Sequence, residues 1–148
     1  MTIPPTTNFK FRDNNGHREI FCLARQRYVA FTPEEWVRQN ALNYLHHELG
    51  YPLELIQVEG AITLNGMTRR CDIVVYNAQV QPFIIVECKQ ETVALTQKVL
   101  DQASRYNLVL QVPYLFITNG PQRIFCLVDF ERKMLRKITN LPIFHKRS

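Results

Sequence analysis

The chain has 148 residues, close to the commonest domain size, so a single compact domain over residues 1–148 is expected. Hydrophobic residues make up 46% of it and charged residues 21%, which excludes a disordered tail, a collagen-like fibre and a coiled coil. Eighteen Lys and Arg against thirteen Asp and Glu give a formal net charge of +5, which favours a polyanionic partner.

The sequence gives no indication of a membrane-spanning segment or of disulfide bonds. No apolar run approaches the roughly 20 residues that cross a bilayer, and the polar start Met1–Pro5 lacks a signal-peptide core, so a cytoplasmic protein is expected. The four cysteines are far apart and form no C-x-x-C pair, which predicts buried, reduced thiols. They are Cys22, Cys71, Cys88 and Cys126.

The first predicted elements are a hairpin and a helix. Residues 9–31 alternate around a turn signal at 14–16 and predict an accessory N-terminal hairpin, assigned to 1–31, with a following extended segment. Thr32 and Glu35 have the spacing of a capping box, in which Thr32 caps the helix and the Glu35 side chain bonds back to the cap. Apolar residues at helical spacing extend this helix to about Leu49.

The remaining elements predict an α/β fold with a mixed sheet. Strands are expected at about 55–64, 68–76, 83–89 and 114–118, a helix at 96–111 and a last hairpin at 123–138. The order αβββαβ predicts an antiparallel three-strand meander and then a right-handed crossover that places the fourth strand parallel to the third. The core is assigned to 32–120 and the C-terminal strands to 121–148.

Hairpin geometry brings carboxylates of the meander together. Asn65-Gly66 as a two-residue turn sets Leu64 opposite Met67, and the same register sets Glu59 opposite Asp72. Opposed residues have Cβ atoms about 4.5–5.5 Å apart, a distance at which like charges destabilise each other. A nearby cation is therefore expected.

The next hairpin adds a third acid and an amine. If Tyr76 pairs with Phe83, Asp72 lies opposite Glu87, and Lys89 shares the face of Glu87 because side chains two apart in a strand point the same way. Carboxylate oxygens suit Mg²⁺, which one or two carboxylates hold together with waters and phosphate oxygens. This pattern predicts a phosphodiester site in which Lys89 orients the nucleophile or offsets developing negative charge.

A purely structural interpretation competes with this one. Glu87 and Lys89 would then be strand-end charges, and Asp72 would form an ion pair with Arg70 or Lys89. Asp72 and Glu87 lie at the ends of apolar strands, 73–76 and 83–86, which favours the functional interpretation because burying an unpaired ionic cluster is costly.

Asp72 followed by Glu87-Cys88-Lys89, between a helix and a helix–strand pair, resembles the PD-(D/E)XK nuclease superfamily over roughly 33–120. Segments 32–39, 70–76 and 85–89 more specifically resemble the N-terminal nuclease domain of type I restriction enzyme R subunits. The resemblance implies a restriction-endonuclease-like three-layer α/β/α sandwich and a DNA endonuclease dependent on Mg²⁺, with Mn²⁺ as a substitute.

The resemblance also implies roles for single residues. Asp72 and Glu87 would bind the metal with the Cys88 backbone carbonyl as a further ligand, and Lys89 would be catalytic. Glu59 is the candidate third carboxylate from the strand register, and exposed strand charge is its alternative explanation. Cys71 stands where the motif has proline.

Two further positions depend on the same resemblance. Gln102 and Tyr106 match the Gln-x-x-x-Tyr motif of the related nuclease branch, where such residues help to hold DNA or the metal-site side chains. The alternative is a packed tyrosine with a solvated glutamine. The superfamily's helix glutamate has no secure match: Gln39 fits by counting from the helix end, and Glu35 lies one turn earlier in a capping position.

DNA is the expected partner. The chain contains no P-loop motif, so a motor or specificity subunit of a restriction system is expected to be a separate protein partner. A homodimer stays open. Basic residues that flank the motifs are candidates for phosphate contacts: Arg69, Arg70, Lys98, Arg105 and Arg123. A non-cleaving nucleic-acid-binding or assembly module that keeps the nuclease fold is the alternative function, and a structural partner domain is a weaker third.

Overall fold

The structure is a computed structural model that describes residues 9–146. The segment Met1–Pro5 lies outside the described residues. Within residues 9–146, neither α-helix is long and apolar enough to cross a bilayer. All four cysteines are free and buried, which confirms the prediction of buried, reduced thiols.

The N-terminal region forms a three-stranded antiparallel sheet. Its strands are β1 (Phe11–Asn14), β2 (His17–Cys22) and β3 (Arg27–Ala30), so the predicted hairpin is confirmed and the extended segment after it is a third strand. Phe9 and Phe31 place their rings 4.9 Å and 5.6 Å from the Trp36 ring, so this sheet packs on the first helix.

The first helix, α1 (Pro33–Asn43), begins where the capping signal predicts, because the Thr32 hydroxyl accepts a hydrogen bond from the Glu35 N–H at 3.0 Å. A π-helical turn (Tyr44–Glu48) continues it, and a short 3-10 turn follows at Leu53–Leu55. The helical segment thus extends to the predicted end, but its last turn is wider than an α-helix because the Leu49 N–H bonds to the Tyr44 carbonyl.

The central sheet has six strands: β4 (Ile56–Val58), β7 (Ile73–Tyr76), β8 (Pro82–Cys88), β9 (Tyr114–Thr118), β10 (Arg123–Asp129) and β11 (Met134–Ile138). Their order across the sheet is β11-β10-β9-β8-β7-β4. All neighbours are antiparallel except β8 and β9, which are parallel and joined through α2 (Gln97–Leu110). The parallel fourth strand, the second helix and the last hairpin are therefore confirmed.

The meander is interrupted where continuous strands were expected. The strands β5 (Ala61–Leu64) and β6 (Met67–Arg70) form a separate two-stranded sheet around Asn65-Gly66. Glu59 has a left-handed backbone (φ 55°), which turns this hairpin away from the central sheet. The predicted register survives the break, because Leu64 lies opposite Met67 and the Glu59 N–H bonds to the Asp72 carbonyl at 2.8 Å.

One predicted pairing is wrong. Tyr76 pairs with Pro82 rather than Phe83, and the ladder is irregular between Val75 and Tyr76. The cause is the connecting loop, in which the Asn77 N–H bonds to the Gln81 carbonyl at 3.0 Å and so shortens the loop by one residue. The irregularity lies at the far end of β7 from Asp72, and Ile73 still lies opposite Val86, so Asp72 remains beside Glu87.

The two helices share buried clusters with alternate residues of the central strands. Buried α1 residues cluster with Ile73, Val75, Ile84 and Val86. Buried α2 residues cluster with Val74, Ile85, Leu115 and Ile117. Since side chains alternate between the faces of a strand, β7 and β8 contribute one face to each cluster.

Candidate functional site

Asp72 lies in the break between β6 and β7, beside the end of β8. Its Oδ2 accepts a hydrogen bond from the Cys88 N–H at 2.8 Å, and its Oδ1 lies 3.2 Å from Nη2 of Arg38. The first contact fixes the carboxylate against the neighbouring strand, and the second supplies a positive charge. Asp72 is therefore held from two elements that are distant in sequence.

Glu87 lies near the end of β8 and is buried. Its Oε1 accepts a hydrogen bond from Nη2 of Arg69 at 2.7 Å. Burial raises the pKa of Glu87, the nearby Asp72 raises it further, and Arg69 and Lys89 lower it without cancelling the effect of burial. The carboxylate therefore carries less positive compensation than its burial requires.

Asp72 and Glu87 line one cavity of about 290 Å³, as the strand register predicts. The other lining residues are Arg38, Glu59, Arg70 and Cys71. Glu59 brings a third carboxylate to the cavity, but its side chain is 53% exposed and its nearest cations, Arg25 and Arg38, are 3.8 Å away. Arg70 is exposed at this cavity, and its Nη2 lies 3.4 Å from the Glu59 carbonyl oxygen.

Lys89 follows β8 directly and is half-buried. Its backbone N–H bonds to the Thr118 carbonyl at 2.8 Å, which holds the chain beside β9. Its charge lowers the pKa of Glu87, which agrees with the shared face predicted from the two-residue period. Lys89 does not line the cavity that holds Asp72 and Glu87.

The two residues of the Gln-x-x-x-Tyr pattern have different surroundings in the structure. The Tyr106 ring lies 3.7 Å from the guanidinium carbon of Arg69, the residue that binds Glu87, so Tyr106 is linked to the site through one side chain. Gln102 is exposed on the same helix, and its side chain has no hydrogen bond or ion pair within residues 9–146.

Arg38 is the site residue that sequence reasoning missed. From α1 it contacts Glu35 at 2.7 Å, Glu34 at 3.2 Å and Asp72 at 3.2 Å, with its side chain only 8% exposed. The i,i+3 and i,i+4 spacing of Glu35 and Glu34 signals the helical pairs. No local signal indicates the contact with Asp72, which lies 34 residues further along the chain.

Glu35 does not act as the capping box predicted. Its carboxylate accepts hydrogen bonds from Arg25 at 3.2 Å, Arg38 at 2.7 Å and Gln39 at 3.0 Å, because buried cations and a buried amide surround it. Only the Thr32 half of the predicted box is present. Neither Glu35 nor Gln39 lines the cavity of Asp72 and Glu87.

A larger cavity, of about 730 Å³, lies elsewhere. Its lining includes Phe21, Leu42 and His46 but neither Asp72 nor Glu87. We place the candidate site at the smaller cavity because the carboxylates of Asp72 and Glu87 line it together with Arg38 and Arg70, whereas Glu48 is the one carboxylate of residues 9–146 that lines the larger cavity.

The donor set of the smaller cavity suits a hard cation. No cluster of three His, Cys, Asp or Glu side chains within residues 9–146 forms a ready-made metal site. Mg²⁺ needs only one or two carboxylates, with waters and phosphate oxygens completing its coordination. Asp72 and Glu87 supply two, and Oε2 of Glu87 accepts no hydrogen bond from the part of the chain described.

A protein-family model described as the type I restriction enzyme R protein N terminus matches residues 33–142. The chain belongs to this family. The matched residues run from α1 to beyond β11 and include Arg38, Asp72, Glu87 and Lys89. Arg25 and the N-terminal sheet precede the part that the R-protein N-terminal family model matches.

A solved structure supports the fold of this R-protein N-terminal family member. It is a fragment assigned as an HsdR subunit of a type I restriction enzyme from Vibrio vulnificus YJ016, with a TM-score of 0.53 and 19% sequence identity. The match covers 77% of this chain and 24% of that chain, so this chain spans about a quarter of the solved one. At this identity the likeness shows the fold alone. The comparison with curated proteins finds no match.

Proposed function

We propose that this chain is the Mg²⁺-dependent DNA endonuclease domain of a type I restriction enzyme R subunit and hydrolyses phosphodiester bonds. One observation carries the proposal: in a chain of the R-protein N-terminal family, the carboxylates of Asp72 and Glu87 line one small cavity at the ends of paired strands. We also infer that α1 and α2, which share clusters with alternate strand residues, form the outer layers of a restriction-endonuclease-like three-layer α/β/α sandwich.

The acids of the cavity would hold the metal. Asp72 and Glu87 would contribute carboxylate oxygens, the Cys88 backbone carbonyl a further ligand, and Glu59 an additional carboxylate from the exposed rim. When bound, Mg²⁺ supplies positive charge to the scissile phosphate and lowers the pKa of a coordinated water, and Mn²⁺ would serve in its place. The Cys88 N–H keeps Asp72 oriented for this role.

The cationic side chains at the site would contact the phosphate or stabilise its charge. Lys89 would orient the attacking water or offset negative charge that develops on the phosphate. Arg70, exposed at the cavity, would contact a DNA phosphate without reading sequence. Tyr106 would support the site through its stacking on Arg69, and Gln102, exposed on the same helix, would face the DNA strand.

Plasmid nicking tests this proposal. The purified chain and the variants Asp72→Asn, Glu87→Gln and Lys89→Met are incubated with supercoiled plasmid in Mg²⁺, in Mn²⁺ and in EDTA. We expect metal-dependent nicking by the wild type and a loss of at least about 100-fold in each variant, the scale of removing a group that acts on the transition state. Nicking that persists in EDTA, or equal nicking by the three variants and the wild type, would reject the site.

The second candidate function is a non-cleaving nucleic-acid-binding or assembly module. It is favoured by the fact that both carboxylates already have a guanidinium partner, Asp72 in Arg38 and Glu87 in Arg69. DNA binding that weakens steeply with salt, with no nicking in Mg²⁺ or Mn²⁺, would select this function. Motor or specificity subunits of a restriction system are the protein partners we propose in either case.

A further inference from the structure

We propose that Arg69 is a built-in counter-ion, which neutralises Glu87 in the metal-free chain and competes with a divalent metal for that carboxylate. This inference rests on the proposed function, because it concerns the same carboxylate. Arg69 is then a positioning residue, and the strength of its contact with Glu87 sets how tightly the metal binds.

The contact between Arg69 and Glu87 is close and sheltered. Nη2 of Arg69 lies 2.7 Å from Oε1 of Glu87, and the two side chains are 23% and 11% exposed. Arg69 does not line the cavity of Asp72 and Glu87, but a metal bound to either carboxylate oxygen of Glu87 would lie within a few ångströms of its guanidinium. The two cations therefore compete for one anion, since two positive charges within a few ångströms repel each other strongly.

The contact between Arg69 and Glu87 also has fewer hydrogen bonds than a guanidinium can form with a carboxylate. Guanidinium has five N–H donors, yet only Nη2 of Arg69 bonds to Glu87, in place of the two parallel bonds of a bidentate pair. Nε of Arg69 is buried and has no hydrogen-bond partner within residues 9–146. One bond to the carboxylate, with a donor still unsatisfied, holds Arg69 less firmly than a bidentate pair would.

The Tyr106 ring gives Arg69 an anchor that does not depend on Glu87. The guanidinium carbon lies 3.7 Å from the ring centroid, and Tyr106 belongs to α2, whereas Arg69 belongs to β6 of the separate hairpin. Stacking resists a move away from the ring plane and permits sliding along it. The ring therefore helps to hold the guanidinium beside Glu87, and its loss would weaken Arg69 as a competitor for the carboxylate.

A competing arginine and a supporting arginine predict opposite changes in metal affinity when Arg69 is removed. If Arg69 only held Glu87 in place, its removal would weaken metal binding. If Arg69 competes for the carboxylate, its removal strengthens metal binding, because one repelling charge near the ion disappears. The sign of the change in Mn²⁺ affinity decides between the two.

The experiment measures Mn²⁺ binding to the full chain by electron paramagnetic resonance, without DNA. Arg69→Gln is expected to bind Mn²⁺ at least about tenfold more tightly than the wild type, because one positive charge a few ångströms from the ion is removed. Adding Glu87→Gln to Arg69→Gln must abolish the gain. Arg132→Gln, which makes the same charge change at a side chain 79% exposed on the far hairpin, must leave the affinity unchanged.

A second pair of variants keeps the test decisive should Arg69→Gln fail to fold. Tyr106→Leu removes the ring and should raise the Mn²⁺ affinity about threefold, because the loosened arginine competes less well. Tyr106→Phe keeps the ring and should match the wild type. Unchanged or weaker Mn²⁺ binding in both Arg69→Gln and Tyr106→Leu overturns the inference but leaves the proposed function standing if the wild type nicks DNA. Absence of Mn²⁺ binding and of nicking in every protein overturns both.

Discussion

Arg38 contacts the carboxylates of Glu34, Glu35 and Asp72 from a side chain that is 8% exposed. Glu35 in turn accepts from Arg25, whose side chain is 11% exposed. This chain of charges connects the N-terminal sheet to the cavity through α1. Buried ion pairs of this kind contribute little net stability when intact, yet removing one partner is expensive, because the other charge is left buried and unpaired.

Replacing Arg38 by methionine, which keeps most of the apolar stem, should lower the free energy of unfolding by about 3 kcal/mol. Urea denaturation followed by circular dichroism measures the change. Arg132→Met, which breaks only an exposed ion pair with Asp129 at 3.9 Å, should change stability by less than about 1 kcal/mol. Equal losses in the two variants would show that the Arg38 contacts are not the buried links we describe.

Cys71 illustrates how the cavity controls the chemistry of a neighbouring thiol. Burial raises the pKa of Cys71 to about 11, with Glu87 and Asp72 adding to the rise and Arg69 opposing it. A raised pKa keeps the thiol protonated in the folded protein at neutral pH. Only the thiolate attacks an alkylating reagent, and at pH 8 about one thiol in a thousand would be ionised.

Iodoacetamide at pH 8 should therefore leave Cys71 unmodified in the native chain. Its labelling should rise about tenfold for each pH unit as the pH approaches the raised pKa, because the thiolate fraction rises in that proportion. Mass spectrometry after timed quenching measures the modification, and the chain in urea, where the thiol is exposed, supplies the fast reference. Rapid native labelling of Cys71 at pH 8 would contradict the burial and the charge environment described here.

At the scale of elements, the N-terminal sheet is part of the structure around α1. Ile20 and Cys22 of β2 are fully buried, although they precede the residues matched by the family model. Phe9 and Phe31 pack against Trp36, and Arg25 binds Glu35. The sheet therefore supports the helix that carries Arg38.

Shortening a buried side chain of this sheet tests whether it unfolds together with the rest. Ile20→Ala should lower the free energy of unfolding by about 3 kcal/mol, through lost burial and the cavity left behind. Ile143→Ala, at a side chain 59% exposed, should change it by less than about 0.5 kcal/mol. If both variants have the same unfolding midpoint as the wild type, and the signals of β2 are lost before that midpoint, the N-terminal sheet unfolds independently of the rest of the chain.

The helices and strands that the sequence predicts correctly are those with a clear local pattern. The capping residue Thr32 and helical apolar spacing locate the two helices, and the Asn65-Gly66 turn locates the hairpin of β5 and β6. The break at Glu59 is not predictable, because the strand alternation continues across it and only the left-handed backbone ends the strand. The shifted pairing of Tyr76 depends on how the loop closes, which composition does not specify.

At the scale of the whole molecule, the site is assembled from separate parts of the chain. Asp72 and Glu87 are predicted to meet because hairpin register is a short-range property of the sequence. Arg38 with Asp72, and Arg69 with Tyr106, meet only after the helices pack on the sheet, so no spacing in the sequence indicates these contacts. The sequence therefore predicts that the two acids lie side by side, but it does not predict their arginine partners.

The central claim is that Asp72 and Glu87 jointly bind one divalent ion. Anomalous diffraction from crystals of the wild type and of Glu87→Gln soaked in millimolar Mn²⁺ measures this directly. We predict one Mn²⁺ peak within bonding distance of both carboxylates in the wild type and none there in Glu87→Gln. A wild-type cavity without a peak, or a peak bound by neither acid, would contradict the account.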